Sequence, residues 1–132
     1  MRGKWPGQLV LAISGIAWFI WLGIEERTVY FVVVLAALAA IDAVIILPVR
    51  DWVTEEGGGV RPLAAGLIGL AIGACVPVVA ALLMLVKVSL HSHQQPDFSL
   101  AQVVSMVSTM PVWAAAGGLM VAAWLIFTED IS

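Results

Sequence analysis

Charged side chains are scarce in this chain of 132 residues: six are basic and nine acidic. They make up 11% of the sequence, where a soluble domain carries about a quarter. That shortage excludes a disordered polyelectrolyte, a nucleic-acid-binding surface and an ordinary water-soluble enzyme. Cysteine is almost absent. The single Cys75 excludes an intrachain disulfide and a thiol-based metal cluster within one chain, and in its apolar run it reads as a small packing residue. The net charge of −3 leaves no basic surface for nucleic acid or anionic lipid. Phosphate-cradling glycine loops, a nucleophile elbow and a zinc-helix motif are all missing, so no enzyme activity, cofactor or metal is expected. Gly57, Gly58 and Gly59 lack a following lysine and read as a flexible turn.

What the chain has instead is apolar length. Hydrophobic residues make up 62% of it and the mean hydropathy is +1.06. A bilayer core of roughly 30 Å needs about 20 apolar helical residues. Four stretches qualify, over about 7–24, 28–47, 62–90 and 100–127. Only helices satisfy their own backbone in lipid, and the runs lack the alternation of barrel strands. The expected fold is all-α: a polytopic membrane protein whose four transmembrane helices form one antiparallel bundle, with no separate soluble domain. The first run follows Arg2 and Lys4 as a signal peptide would. It ends in Glu25, Glu26 and Arg27 without a small-residue cleavage site, so it reads as a retained helix.

The links set the topology. Glu25–Arg27 is short enough to force a tight hairpin. The second link carries Arg50, Asp51, Glu55, Glu56 and Arg61, between Pro48 and Pro62. The third carries His91, His93, Gln94, Gln95, Pro96 and Asp97. Arg2, Lys4, Arg50 and Arg61 fall on one side; Arg27 and Lys87 fall on the other. The excess of positive charge predicts an integral protein of an inner or plasma membrane with both termini cytoplasmic. Trp5, Trp52, Tyr30 and Trp124 lie near helix ends, where amphipathic rings settle at headgroups; Trp18 and Trp21 lie deeper.

Close backbone approach drives helix association in lipid, so small residues in steps of four mark contact faces. The third span has Ala65, Gly69, Gly73 and Pro77, the fourth Ala114, Gly118 and Ala122, the second Ala36 and Ala40 with Ala39 and Ala43 beside them. Pro77 and Pro111 fall inside the two longest spans and should kink them, as hinges or as static bends.

Few residues are candidates for function. Asp42 stands in AALAAIDAVIILP with no charge nearby. An acid at a helix centre costs roughly 2.5–3.5 kcal/mol on insertion scales, so it should face the bundle or a partner. It lies six residues before Pro48, or about 9 Å from that end. Ser14 of the first span should reach the same depth, and a Ser14–Asp42 hydrogen bond is expected. Asp42 then serves as an ion or proton site, as a contact to another subunit, or as a capped structural residue. The fourth span opens with Ser99, Gln102, Ser105 and Thr109 on one face, with Ser108 beside them. That ridge serves as interhelical glue or lines a path. His91 and His93, two apart and followed by Asp97, fall short of a closed zinc site and read as a polar loop. Glu25, Glu26, Glu55, Glu56, Glu129 and Asp130 read as solvated or docking charges.

The expected function is that of a small non-catalytic membrane protein: an accessory or structural subunit packing against larger subunits of a membrane complex. The alternative is an oligomeric ion- or proton-coupled transporter or channel using Asp42, with Gln102, Ser105 and Thr109 lining the route. The expected partners are the lipid bilayer and either those larger subunits or further copies of the chain.

Overall fold

The computed structural model describes residues 5–24, 28–47, 49–53, 61–90 and 97–129. The elements are helices α1 (Trp5–Gly23), α2 (Val29–Ile46), α3 (Val49–Val53), α4 (Pro62–Leu90), α5 (Leu100–Ser108) and α6 (Met110–Glu129). There is no strand among the described residues. Three stretches are long and apolar enough to cross a membrane: Val29–Ile46, Pro62–Leu90 and Leu100–Ala123. The first helix contributes a shorter apolar run, Gly7–Gly23.

Two features depart from the sequence expectation. The second link, read as a polar connection, begins with the single turn of α3, which buries Val53 and whose carbonyl there accepts from Arg61 N–H at 2.7 Å. The fourth expected span is broken at Thr109. Pro111 has no N–H for the Val107 carbonyl, and the Thr109 N–H turns back to the Met106 and Val107 carbonyls instead. The Ser108 and Thr109 hydroxyls take up the Ser105 and Met106 carbonyls at 2.7 and 2.6 Å. Pro77 does not interrupt its helix: α4 runs through it, and Pro77 is fully buried. Dense packing on the flanking Val76, Ala80 and Ala81 holds the segment helical there, whereas Pro111 is exposed and free to start a new helix.

α4 is the central helix, packed on α6, α2, α5 and α3. Of its most apolar window 44% is buried, against 17% for α2 and 6% for 100–123. The others are therefore a partial shell around α4. α1 lies against α2 in the opposite direction, with Gly7 at Ile45 and Ser14 at Asp42. α6 runs back along α4 in the same way, with Trp113 at Gly73 and Val121 at Gly69. The apolar core gathers at the C-terminal half of α4, where Val76, Ala80 and Met84 meet Val32 and Leu35 of α2, Trp21 of α1 and Val103 and Met106 of α5.

The α4–α6 seam explains the glycines. A side-chain carbon at Gly69 would stand 2.8 Å from the Gly117 carbonyl oxygen, and one at Gly73 would overlap the Trp113 carbonyl. One at Gly117 would meet the Gly73 backbone at 3.0 Å. The Gly69/Gly73 pair is thus used within the chain. The facing stripe on α6 is Trp113, Gly117 and Val121, one residue off the expected Ala114, Gly118 and Ala122. Ala114 still touches the seam and Gly118 faces Leu70, but Ala122 is exposed. On α2, Ala36 is buried while Ala39, Ala40 and Ala43 are half-buried. Cys75 is exposed, not a packing residue. It lies two positions from Gly73, about 200° around the helix, and so on the opposite face.

Candidate functional site

Two polar contacts hold α1, one at its middle and one at its C-terminal end. In the first, Ser14 Oγ donates to Asp42 Oδ1 at 3.1 Å. Ser14 is 1% exposed and Asp42 is half-buried. The bond arises from the hairpin itself: antiparallel helices joined by a short link bring equal depths together, and Gly7 lets α1 come close to α2 at Ile45. Interhelical hydrogen bonds in membranes average about 0.6 kcal/mol and reach about 1.7. That recovers only part of what the acid costs to insert. Ser14→Ala, which keeps the volume and removes the donor, is therefore expected to lower stability by about 1 kcal/mol in reversible detergent unfolding. A neutral result would show that the hydroxyl does not hold Asp42.

The second contact was not legible as such. Lys87, inside the expected third span and counted with Arg27 on one side, is fully buried in the last turn of α4. Its Nζ donates to the Trp21 carbonyl at 3.3 Å and lies 4.1 Å from the centroid of the Trp21 ring. The ammonium thus meets the negative end of α1, where the final carbonyls lack helical partners, and the indole face adds a cation–π contact. The signal in the sequence was α4's excess length, which carries Lys87 three residues inside the helix end rather than beyond it. Trp21 is itself buried, and the indole N–H groups of Trp18 and Trp21 have no acceptor among the described residues. Tyr30 and Trp52 are exposed.

The ridge on α5 is local chemistry. Ser99 and Gln102 form a reciprocal capping box: Ser99 Oγ accepts from the Gln102 N–H at 3.2 Å and the Gln102 side chain accepts from the Ser99 N–H at 2.8 Å. Ser108 and Thr109 bond back within the helix, and Ser99, Gln102 and Ser105 face outward. Ser99, Gln102, Ser108 and Thr109 thus make these hydrogen bonds within α5 and its caps rather than to another helix. Gln102, Ser105 and Thr109 do share a surface depression of about 420 Å³ with Val29, Ala101 and Met106.

Asp42 does not line that depression. Nor does it line the cavity of about 420 Å³ among α2, α3, α4 and α6, or the one of about 280 Å³ between α2, α4 and α6. These two share Val44, Ile72, Met120 and Val121 and are walled by apolar side chains over the glycine face of α4. Within one chain, Asp42 and the α5 ridge therefore line no common depression. Asp97 is half-buried just before α5. His91, His93, Glu25, Glu26, Arg27, Glu55, Glu56, Gly57, Gly58, Gly59 and Asp130 lie outside the described residues, as do the side chains of Trp5, Trp124 and Glu129.

The class defined by these features is an all-helical protein with several apolar helices compatible with membrane insertion. No protein-family model, curated protein or solved structure matches the chain.

Proposed function

We propose that this chain is a small, non-catalytic integral membrane protein that crosses the bilayer four times and serves as an accessory subunit, packed against larger subunits of a membrane complex. The observation that carries this reading is how little α1 and α6 are covered. α1 buries only Ser14 and Trp21 among its described side chains, and no described side chain of α6 is buried. A shell left this open suits helices that complete their packing on another protein. The apolar lining of the inter-helix cavities, and the separation of Asp42 from Gln102, Ser105 and Thr109, speak against a polar route through one copy.

A fourth crossing is supported by α1, whose 19 residues span about 28 Å at 1.5 Å per residue, close to the hydrocarbon thickness. Burial of Lys87 also sharpens the charge asymmetry. Only exposed loop charges orient a helix pair, so Lys87 drops out of the comparison. Arg2, Lys4, Arg50 and Arg61 then stand against Arg27 alone. This supports cytoplasmic termini in an inner or plasma membrane.

The test is mild-detergent extraction from the native membrane, followed by a native gel and mass spectrometry of the band. Co-migration with larger polypeptides at fixed stoichiometry is expected. A chain that runs alone or only with copies of itself contradicts the reading. It then favours the oligomeric transporter, for which the Ser14–Asp42 pair is the candidate ion or proton site among the described residues. Loss of flux in Asp42→Asn with assembly intact is that reading's signature.

A further inference from the structure

The Asp42 carboxyl is only partly accounted for within the chain. Ser14 is its one hydrogen-bond partner among the described residues, and it engages a single oxygen. The side chain remains half-buried rather than enclosed. Its α2 neighbours Ile41, Ile45 and Ile46 are exposed, as is Ile13 next to Ser14. An acidic group is therefore set in an open apolar face. The chain's one basic residue within its described long apolar helices cannot reach it. Lys87 is fully buried against Trp21, and Trp21 lies seven residues along α1 from Ser14, about 10 Å further.

An intramembrane acid held by one hydroxyl calls for a charge of opposite sign at the same depth. We propose that Asp42 is the docking point for a partner's transmembrane helix carrying a lysine or arginine at that level. The inference rests on the accessory-subunit reading and names the partner's chemistry. Asp42 is four residues from the end of α2, about 6 Å along the axis. The partner's cation therefore sits one to two turns inside the end of its helix. From there the long aliphatic stem of lysine or arginine can deliver the charge sideways or toward the interface. Ile41 and Ile45 provide the apolar flank for that helix, and Ser14 holds the carboxyl in place.

The test uses donor-labelled full-length protein in phosphatidylcholine vesicles and acceptor-labelled leucine–alanine helices of about 24 residues. One helix carries a single lysine four residues from one end, and its counterpart carries leucine there. Energy transfer is expected to show at least about tenfold tighter association of the lysine helix, the scale of a desolvated charge pair. Asp42→Asn removes the preference, while Asp42→Glu and Ser14→Ala retain it. The two retained variants show that loss in Asp42→Asn is not loss of folding. Equal association of the two helices, or a preference that survives Asp42→Asn, overturns the proposal. The native gel separates the two readings. A complex of larger subunits that stays intact in Asp42→Asn leaves the accessory reading standing and overturns the charge pair. A wild-type chain that runs alone yet selects the lysine helix removes the accessory reading and keeps Asp42 as a receptor for cations. A homo-oligomer that Asp42→Asn dissolves overturns the partner in favour of a second copy.

Discussion

Gly73→Ala is expected to force α4 and α6 apart and to lower stability by about 2–3 kcal/mol, the upper part of the range for overpacking. The added carbon would overlap the Trp113 carbonyl and come within 3.1 Å of the Ala114 Cα. Both are backbone atoms of a helix, so neither can rotate aside. The only relief is to move one helix, which loosens the neighbouring contacts at Gly69, Gly117 and Val121 as well. Gly66→Ala on the same helix is the control, because nothing lies within 4 Å of its added carbon. That variant should be neutral or more stable by up to about 1 kcal/mol, since alanine is the better helix former. Combining Gly73→Ala with Gly117→Ala should cost much less than the sum, because a seam already opened has less left to lose. Reversible unfolding in bicelles measures the parent protein, the three single variants and the double variant. Equal behaviour of Gly73→Ala and Gly66→Ala would remove the glycine seam from the account.

Lys87→Ala should be similarly severe, at about 3 kcal/mol, with Lys87→Met milder at about 1 kcal/mol. Truncation to alanine empties a fully buried site and removes the aliphatic stem as well as the charge. Methionine fills nearly the same space. It forfeits the cation–π contact and the bond to the Trp21 carbonyl, but it also relieves the desolvation that a buried ammonium suffers. Those opposing contributions nearly cancel, so volume decides the ranking. Amine labelling gives an independent reading: Lys87 should resist a water-soluble acylating reagent in the folded protein and react once it is unfolded. Rapid labelling in the folded state, or a neutral Lys87→Ala, would place the ammonium in solvent and return it to the count with Arg27.

The Ser14–Asp42 bond could be anticipated because antiparallel neighbours bring equal depths together. Counting from the span ends away from the link was enough: Ser14 lies seven residues after Gly7 and Asp42 six before Pro48. Lys87 could not be read in the same way. Its fate depends on how α1 ends against α4, a contact between residues 66 positions apart. The α5 ridge misled for a related reason. Spacing put Ser99, Gln102, Ser105 and Thr109 on one face, but a shared face does not say whether a hydroxyl reaches a neighbouring helix or its own carbonyls. Pro111 decided that by freeing carbonyls next to Ser108 and Thr109. The turn of α3 was hidden because five residues leave too short a pattern to read.

The sequence by itself determined the helical class, the apolar runs long enough to cross a membrane and the approximate ends of the long helices. These follow from composition, run length and local stop signals, all properties of neighbouring residues. Tertiary structure alone decided which face of each helix is buried, that Gly69 and Gly73 are spent on α6 within the chain, and that Lys87 is internal. The physical reason is that α1, α2, α4 and α6 are apolar nearly all round. An amphipathic helix declares its inner face through its polar one, as α5 does in part by burying Val103 and Met106 while Ser99, Gln102 and Ser105 stay exposed. In a helix that is apolar on every side, the buried face is chosen by backbone fit: Trp113, Gly117 and Val121 meet the glycines of α4, and a rotation of one residue, about 100°, would have chosen Ala114, Gly118 and Ala122 instead.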